Sequence, residues 1–185
     1  MRWACHRLSS FAAVFLVTGD PVVALASTAG ATLPDSIEGI GARGKKRSVA
    51  SYLNLSHRGV SHWYMVYLIP FLALLALDWG ILPSHFLYPH FSLSHLHPSH
   101  LLPSHFPFSH FFSWQYLPPM LSFFFLGACL HILGDTLCGT VPGLTLRSKR
   151  VGIRLFKVNS LREIMLVVPA SLAAIALRLA WITGI

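Results

Sequence analysis

Acidic side chains are scarce in this chain: Asp and Glu total 6 in 185 residues, against 14 Lys and Arg. Charged residues make up 11%, where an ordinary soluble domain carries about 25%. So little charge argues against a simple soluble enzyme. The net charge of +8 comes from missing acids, and the bases lie beside long apolar runs, so the high pI does not imply a nucleic-acid partner. Cysteine is sparse too. Three residues with no Cys-x-x-Cys pair exclude a disulfide framework and a thiolate zinc site. What is abundant is apolar surface: 54% of residues are hydrophobic, which excludes intrinsic disorder. The length fits one domain.

A helix needs about 20 mostly apolar residues to cross a bilayer. Four stretches come near that: Leu8 to Ala31, interrupted by Gly19-Asp20-Pro21; Trp63 to Leu82; Trp114 to Leu133; and Ile164 to Ile185. Trp63, Tyr64, Tyr67, Trp79, Trp114 and Tyr116 flank the second and third, as aromatics do at membrane interfaces. The expected fold is an all-α, polytopic membrane helix bundle with about four apolar segments. Residues 1–185 then form a single membrane-embedded domain, in contact with the lipid bilayer.

Lys and Arg orient it. Arg43, Lys45, Lys46, Arg47 and Arg58 lie between the first two stretches, and Arg147, Lys149, Arg150, Arg154, Lys157 and Arg162 between the last two. Residues 80–113 contain none. The first and third loops are therefore expected on the cytoplasmic side, and the second on the other. A full first span would carry Arg2 and Arg7 outside, whereas a re-entrant segment broken at Asp20-Pro21 keeps them inside. A third reading is a cleavable signal peptide ending near Ala24-Leu25-Ala26.

Residues 83–113 are a low-complexity His/Pro/Phe loop. His85, His90, His95, His100, His105 and His110 recur every five residues, with His97 in addition. That period fits neither helix nor strand, and the interspersed prolines exclude a regular helix. Histidine-rich tracts collect metals. An active site, however, needs distinct residues in fixed places, so an expanded repeat in a tolerant loop is the favoured reading.

Outside the repeat, three clusters carry possible chemistry. Leu33-Pro34-Asp35-Ser36-Ile37-Glu38 holds two carboxylates. His57-Arg58-Gly59-Val60-Ser61-His62 holds two imidazoles around a glycine. Gly127 to Asp135 places His131 and Asp135 at i and i+4, on one helix face. Each has a plain alternative: a helix cap for Asp35, interfacial polar residues for His57 and His62, and an intramembrane hydrogen-bonded pair for His131 and Asp135. Glu163 could simply balance Arg162. Yet all three clusters fall at cytoplasmic ends of spans or in the first cytoplasmic loop. Imidazole with carboxylate is the usual donor set for zinc and similar divalent ions.

In this order the clusters resemble the YdjM family of bacterial inner-membrane proteins, named as metal-dependent hydrolases. The matching positions are His6 before an apolar segment, Leu33-Pro34-Asp35, the His57 to His62 motif, the Gly127 to Asp135 helix end, and Glu163 before the last span. The resemblance covers the chain except residues 80–113. Two positions depart from it: Ile37 stands where the family usually has a second Asp, and Cys138 where it tends to have Thr. The resemblance implies that His6 is retained, which argues against cleavage of a signal peptide. It also implies multi-pass insertion in the bacterial inner membrane and a divalent metal cofactor, zinc above all. The implied metal ligands are His6, Asp35, His57, His62, His131 and Asp135, with Asp35 or Glu38 as general base. The family is distantly similar to the helical zinc-dependent phospholipase C and P1 nuclease group. By that analogy the substrate is a phosphoester or another small-molecule or lipid-like ester, met at the cytoplasmic membrane face. The competing expectation is a non-enzymatic membrane protein, such as a metal or ion transporter subunit. Transport sites usually lie near the bilayer midplane.

Overall fold

A computed structural model of the chain describes residues 3–42, 60–78, 117–145 and 149–184. Six α-helices occur among them: α1 (Trp3–Thr18), α2 (Pro21–Gly30), α3 (Leu33–Ala42), α4 (Met65–Asp78), α5 (Leu117–Cys138) and α6 (Leu161–Thr183), with a single 3-10 turn at Val60–His62. The described residues contain no strand, only one isolated antiparallel bridge between Val141 and Val151. The fold is therefore mostly helical, as the apolar runs lead one to expect.

Two helices are long and apolar enough to cross a membrane, α5 with 22 residues and α6 with 23. At 1.5 Å per residue each reaches about 33 Å, slightly more than a hydrocarbon core of about 30 Å. The other two expected spans are shorter as helices. α4 has 14 residues and contains Pro70. The first apolar run is divided into helices of 16 and 10 residues. The division has a local cause. Gly19 adopts a left-handed φ of 70°, and its N–H closes on the Phe15 carbonyl. Asp20 then caps α2 by accepting from the Val22 N–H at 2.7 Å, and Pro21 occupies the first helical turn. Gly-Asp-Pro thus ends one helix and starts another; it does not merely kink one.

α1 and α2 fold back on each other. Ser10 Oγ and Ser27 Oγ lie 2.6 Å apart in the buried seam, and Ser10 also donates to the Ser27 carbonyl at 3.2 Å. Val14, Phe15, Val23 and Ala24 form the adjoining apolar core, with Phe123, Leu126, Leu130 and Ile175 packed against it. At the tip, Arg178 of α6 donates to the Thr18 carbonyl at 3.2 Å, placing a cation on the negative end of the α1 dipole. Folding back returns the end of α2 to the end of the molecule where α1 begins.

α2 and α5 meet backbone to backbone. A Cβ on Gly30 would strike the Phe124 carbonyl oxygen, and one on Gly127 the Ser27 carbonyl oxygen. Such small-residue contacts let helix backbones approach closely. A second core of Tyr67, Ala128, Ile132 and Val141 joins α4 to the last turns of α5. α6 leaves Met165, Leu166, Leu172, Leu177 and Trp181 exposed.

Candidate metal centre

Four chain segments deliver imidazole and carboxylate groups to one end of the bundle. His6 comes from the first turns of α1, Asp35 from the first turn of α3, His62 from the 3-10 turn before α4, and His131 with Asp135 from the C-terminal part of α5. His6, His62, His131 and Asp135 are buried, and the Asp35 side chain retains 20% exposure, the most open of the five.

Local geometry explains why each side chain points inward. α2 ends with the Ala31 and Thr32 amides bonded to Ser27 and Ala29 carbonyls, and α3 starts at Leu33-Pro34. The tight corner turns the Ala31 carbonyl toward α5, where His131 Nδ1 meets it at 2.6 Å. His62 is held from two sides. Its Nδ1 lies 3.2 Å from Ser61 Oγ, and the Tyr67 hydroxyl donates to the Ser61 carbonyl at 2.8 Å. The neighbouring Trp63 indole N–H donates to the Leu144 carbonyl at 3.1 Å, tying the turn to the segment after α5. His6 stacks on His131 with ring centroids 3.8 Å apart and 18° between planes.

The three Nε2 atoms then converge on the two carboxylates. His62 Nε2 lies 3.4 Å from Asp35 Oδ1 and 3.4 Å from Asp135 Oδ2. His131 Nε2 lies 3.5 Å and 4.0 Å from the same two oxygens. His6 Nε2 lies 3.2 Å from Asp135 Oδ1. A charge-assisted N–H···O bond is shorter, about 2.7–2.9 Å. A tetrahedron with zinc–ligand bonds of about 2.0–2.2 Å has edges of about 3.3–3.6 Å. Three of the four imidazole–carboxylate separations match that edge, and the fourth is slightly longer.

The tautomer of His131 sharpens the point. A carbonyl can only accept, so His131 Nδ1 is the donor to Ala31, and in the neutral form of the ring the lone pair is at Nε2. Nε2 faces carboxylate oxygens and has no hydrogen-bond partner among the described residues. A cation between them, proton or metal ion, satisfies both. A carbonyl fixing the far nitrogen is also the usual way a ligating histidine is oriented. Two overlapping groups could hold a metal ion: His6, His131 and Asp135, and Asp35, His62 and His131.

In the metal-free protein, burial would depress the His62 imidazole. Asp135 and Asp35 on its open side outweigh that and raise it to about 9. Burial would likewise raise the Asp35 carboxyl, but the adjacent His131 and His62 imidazoles carry it well below the ordinary carboxylate range. Protons and metal ions compete for such a site.

Of the residues named from the sequence, the structure brings together His6, Asp35, His62, His131 and Asp135. His57 lies outside the described residues, as do the Glu38 side chain and the whole of the histidine repeat. The Cys138 thiol, at one departure from the family pattern, donates to the Gly134 carbonyl of its own helix at 3.2 Å. Glu163 is fully buried and accepts from the Asn159 N–H at 2.8 Å, while Ser160 caps α6 through the Glu163 N–H. Glu163 thus works in the start of α6, a role that the spacing Ser160-x-x-Glu163 signals in the sequence. Ser61 stands inside the His57 to His62 motif, but sequence reasoning gave it no role, and it did not single out the Tyr67 hydroxyl or the Ala31 carbonyl for the site. These groups act on the ligands from behind.

No family model, curated protein or solved structure matches this chain.

Proposed function

We propose that this protein is a multi-pass metal-dependent hydrolase of the bacterial inner membrane, similar in kind to the YdjM family. It acts on a phosphoester or lipid-like substrate at the cytoplasmic membrane face. The observation that carries the reading is the set of His62 and His131 Nε2 atoms and Asp35 and Asp135 oxygens at coordination-edge separations, with His131 Nε2 aimed among the carboxylates. In this reading α1 and α2 form a re-entrant hairpin that enters and leaves the bilayer on the cytoplasmic side. α4, α5 and α6 complete the four apolar segments.

His62, His131 and Asp135 would hold the ion, most suitably zinc given imidazole and carboxylate donors, with a fourth position left open for water. His6 adds a further donor or orients Asp135 through Oδ1. A zinc ion held there would supply Lewis acidity and would lower the pKa of a coordinated water to about 7. Asp35, the most exposed of the five, is the carboxylate that meets incoming water and substrate, and it orients or deprotonates the attacking water. The fully enclosed imidazoles exclude water from the opposite side. The donor groups sit at one end of α5 and at the starts of α1, α3 and α4, away from the middle of the long helices. That favours hydrolysis over the transporter alternative.

The test is metal analysis of the full chain purified in detergent, with hydrolysis of a chromogenic phosphodiester as second readout. Stoichiometric zinc in the wild type, absent from His131→Ala, is the expected result. Equal metal in both would remove the centre. Zinc binding with no hydrolysis of phosphate or carboxylate esters would leave a metal site without the proposed activity.

A further inference from the structure

The segment between α5 and α6 is built like a strap along the site end of the molecule. Val151 pairs with Val141 through two backbone bonds of 2.9 and 3.0 Å. The Ile153 N–H then donates to the Thr136 carbonyl and the Leu155 N–H to the Leu137 carbonyl, both at 2.7 Å. These are two of the last carbonyls of α5, which have no partner within the helix. Phe156 anchors the strap by packing with Cys5, Leu137, Cys138 and Val167.

Val151, Ile153 and Leu155, whose amides are engaged, are all more than half exposed, with Arg154 in a left-handed turn (φ 56°) between the last two. Leu144 and Leu161, at 71% each, are also exposed. Among these apolar residues stand Lys149, Arg150, Arg154, Lys157 and Arg162, all exposed. The sole acid from 149 to 184 is Glu163, which is fully buried. Exposed apolar side chains among cations, with no exposed acid, are the pattern of a segment lying at a bilayer surface.

We propose that the strap, residues 149–162, docks on anionic lipid headgroups, its exposed apolar side chains entering the acyl boundary and its Lys and Arg binding phosphate. The inference rests on the membrane insertion proposed above, and it adds a headgroup preference. The strap then lies next to the His/Asp cluster, because Thr136 and Leu137, whose carbonyls hold it, directly follow Asp135. Cations close to an anionic surface each contribute several-fold to binding, and salt screens them.

The full chain is reconstituted in vesicles of equal phosphatidylglycerol and phosphatidylcholine, and spin-labelled versions of each lipid report the fraction held at the protein. Phosphatidylglycerol should be held preferentially at low salt, and the preference should fall steeply at high salt. Lys149→Gln with Arg154→Gln and Lys157→Gln should reduce it on the order of tenfold. Equal retention of the two lipids by the wild type would overturn the proposal, as would an undiminished preference in the triple variant. Zinc content measured on the same samples separates the outcomes: its absence counts against the metal centre and leaves the lipid result standing.

Discussion

His6 and His131 stack face to face at 3.8 Å between ring centroids, although α2, α3 and α4 all intervene between them in the chain. Two imidazolium cations would repel at that distance. The stack suits neutral rings, the form in which histidine ligates metal. Its existence depends on the α1–α2 hairpin, which returns Ala31 and Asp35 to the end where His6 begins.

The two stacked rings do not make equal contacts, and the histidines should therefore differ on substitution. His62 and His131 each approach both carboxylates, whereas His6 Nε2 approaches Asp135 among the described residues. His62→Ala and His131→Ala are expected to abolish bound zinc. His6→Ala should weaken zinc affinity by about 10–100-fold, as loss of an orienting partner does. Competitive titration with a zinc chelator measures all three; equal loss in every variant would place His6 among the essential ligands.

Zinc affinity should rise with pH from about 6 to 9. Without metal the His62 ring is protonated up to about 9, so binding must displace a proton, at a cost of tenfold in apparent affinity per pH unit below that value. Stability of the metal-free protein follows the opposite course. The folded-state pKa of His62 is raised above its ordinary value, so its contribution is complete below about 6.5 and is lost as pH passes 9. Thermal melting of metal-free protein across that range should fall with pH, and His62→Ala should flatten the slope.

Gly30→Ala and Gly127→Ala place a methyl against the backbone of the facing helix. Each should cost about 1–3 kcal/mol by forcing α2 and α5 apart. Because the Ala31 carbonyl orients His131, zinc affinity should fall with stability. A variant with wild-type melting temperature would show that the two helices can separate without penalty.

Topology reporters fused after Lys46 and after Arg150 should read cytoplasm, and one near His95 the opposite side. Replacing residues 85–110 by a short flexible linker should leave zinc content intact, since none of the repeat histidines falls in a matched motif. Cytoplasmic signal at His95 would invert the arrangement; complete loss of zinc from a correctly inserted deletion variant would move the metal to the repeat.

The residue types of the site were legible before any coordinates. His131 and Asp135 share a helix face because 3.6 residues make a turn, and Asp35 and His62 stand in short motifs with no apolar explanation. Helical class and the two long apolar helices also follow from composition, because a run of about 20 apolar residues needs a helix to satisfy its backbone in lipid. Gly19-Asp20-Pro21 marked where the first run would stop. It could not tell how the two halves would pack; the Ser10–Ser27 contact and the close crossing at Gly30 and Gly127 show α2 folded back along α1 and against α5. The joining of His6 to the cluster, the Nε2 of His131 turned inward by the Ala31 carbonyl, and the support of His62 by Ser61 and Tyr67 belong to tertiary structure alone. They depend on distances between segments far apart in the chain, and local propensity carries no term for those.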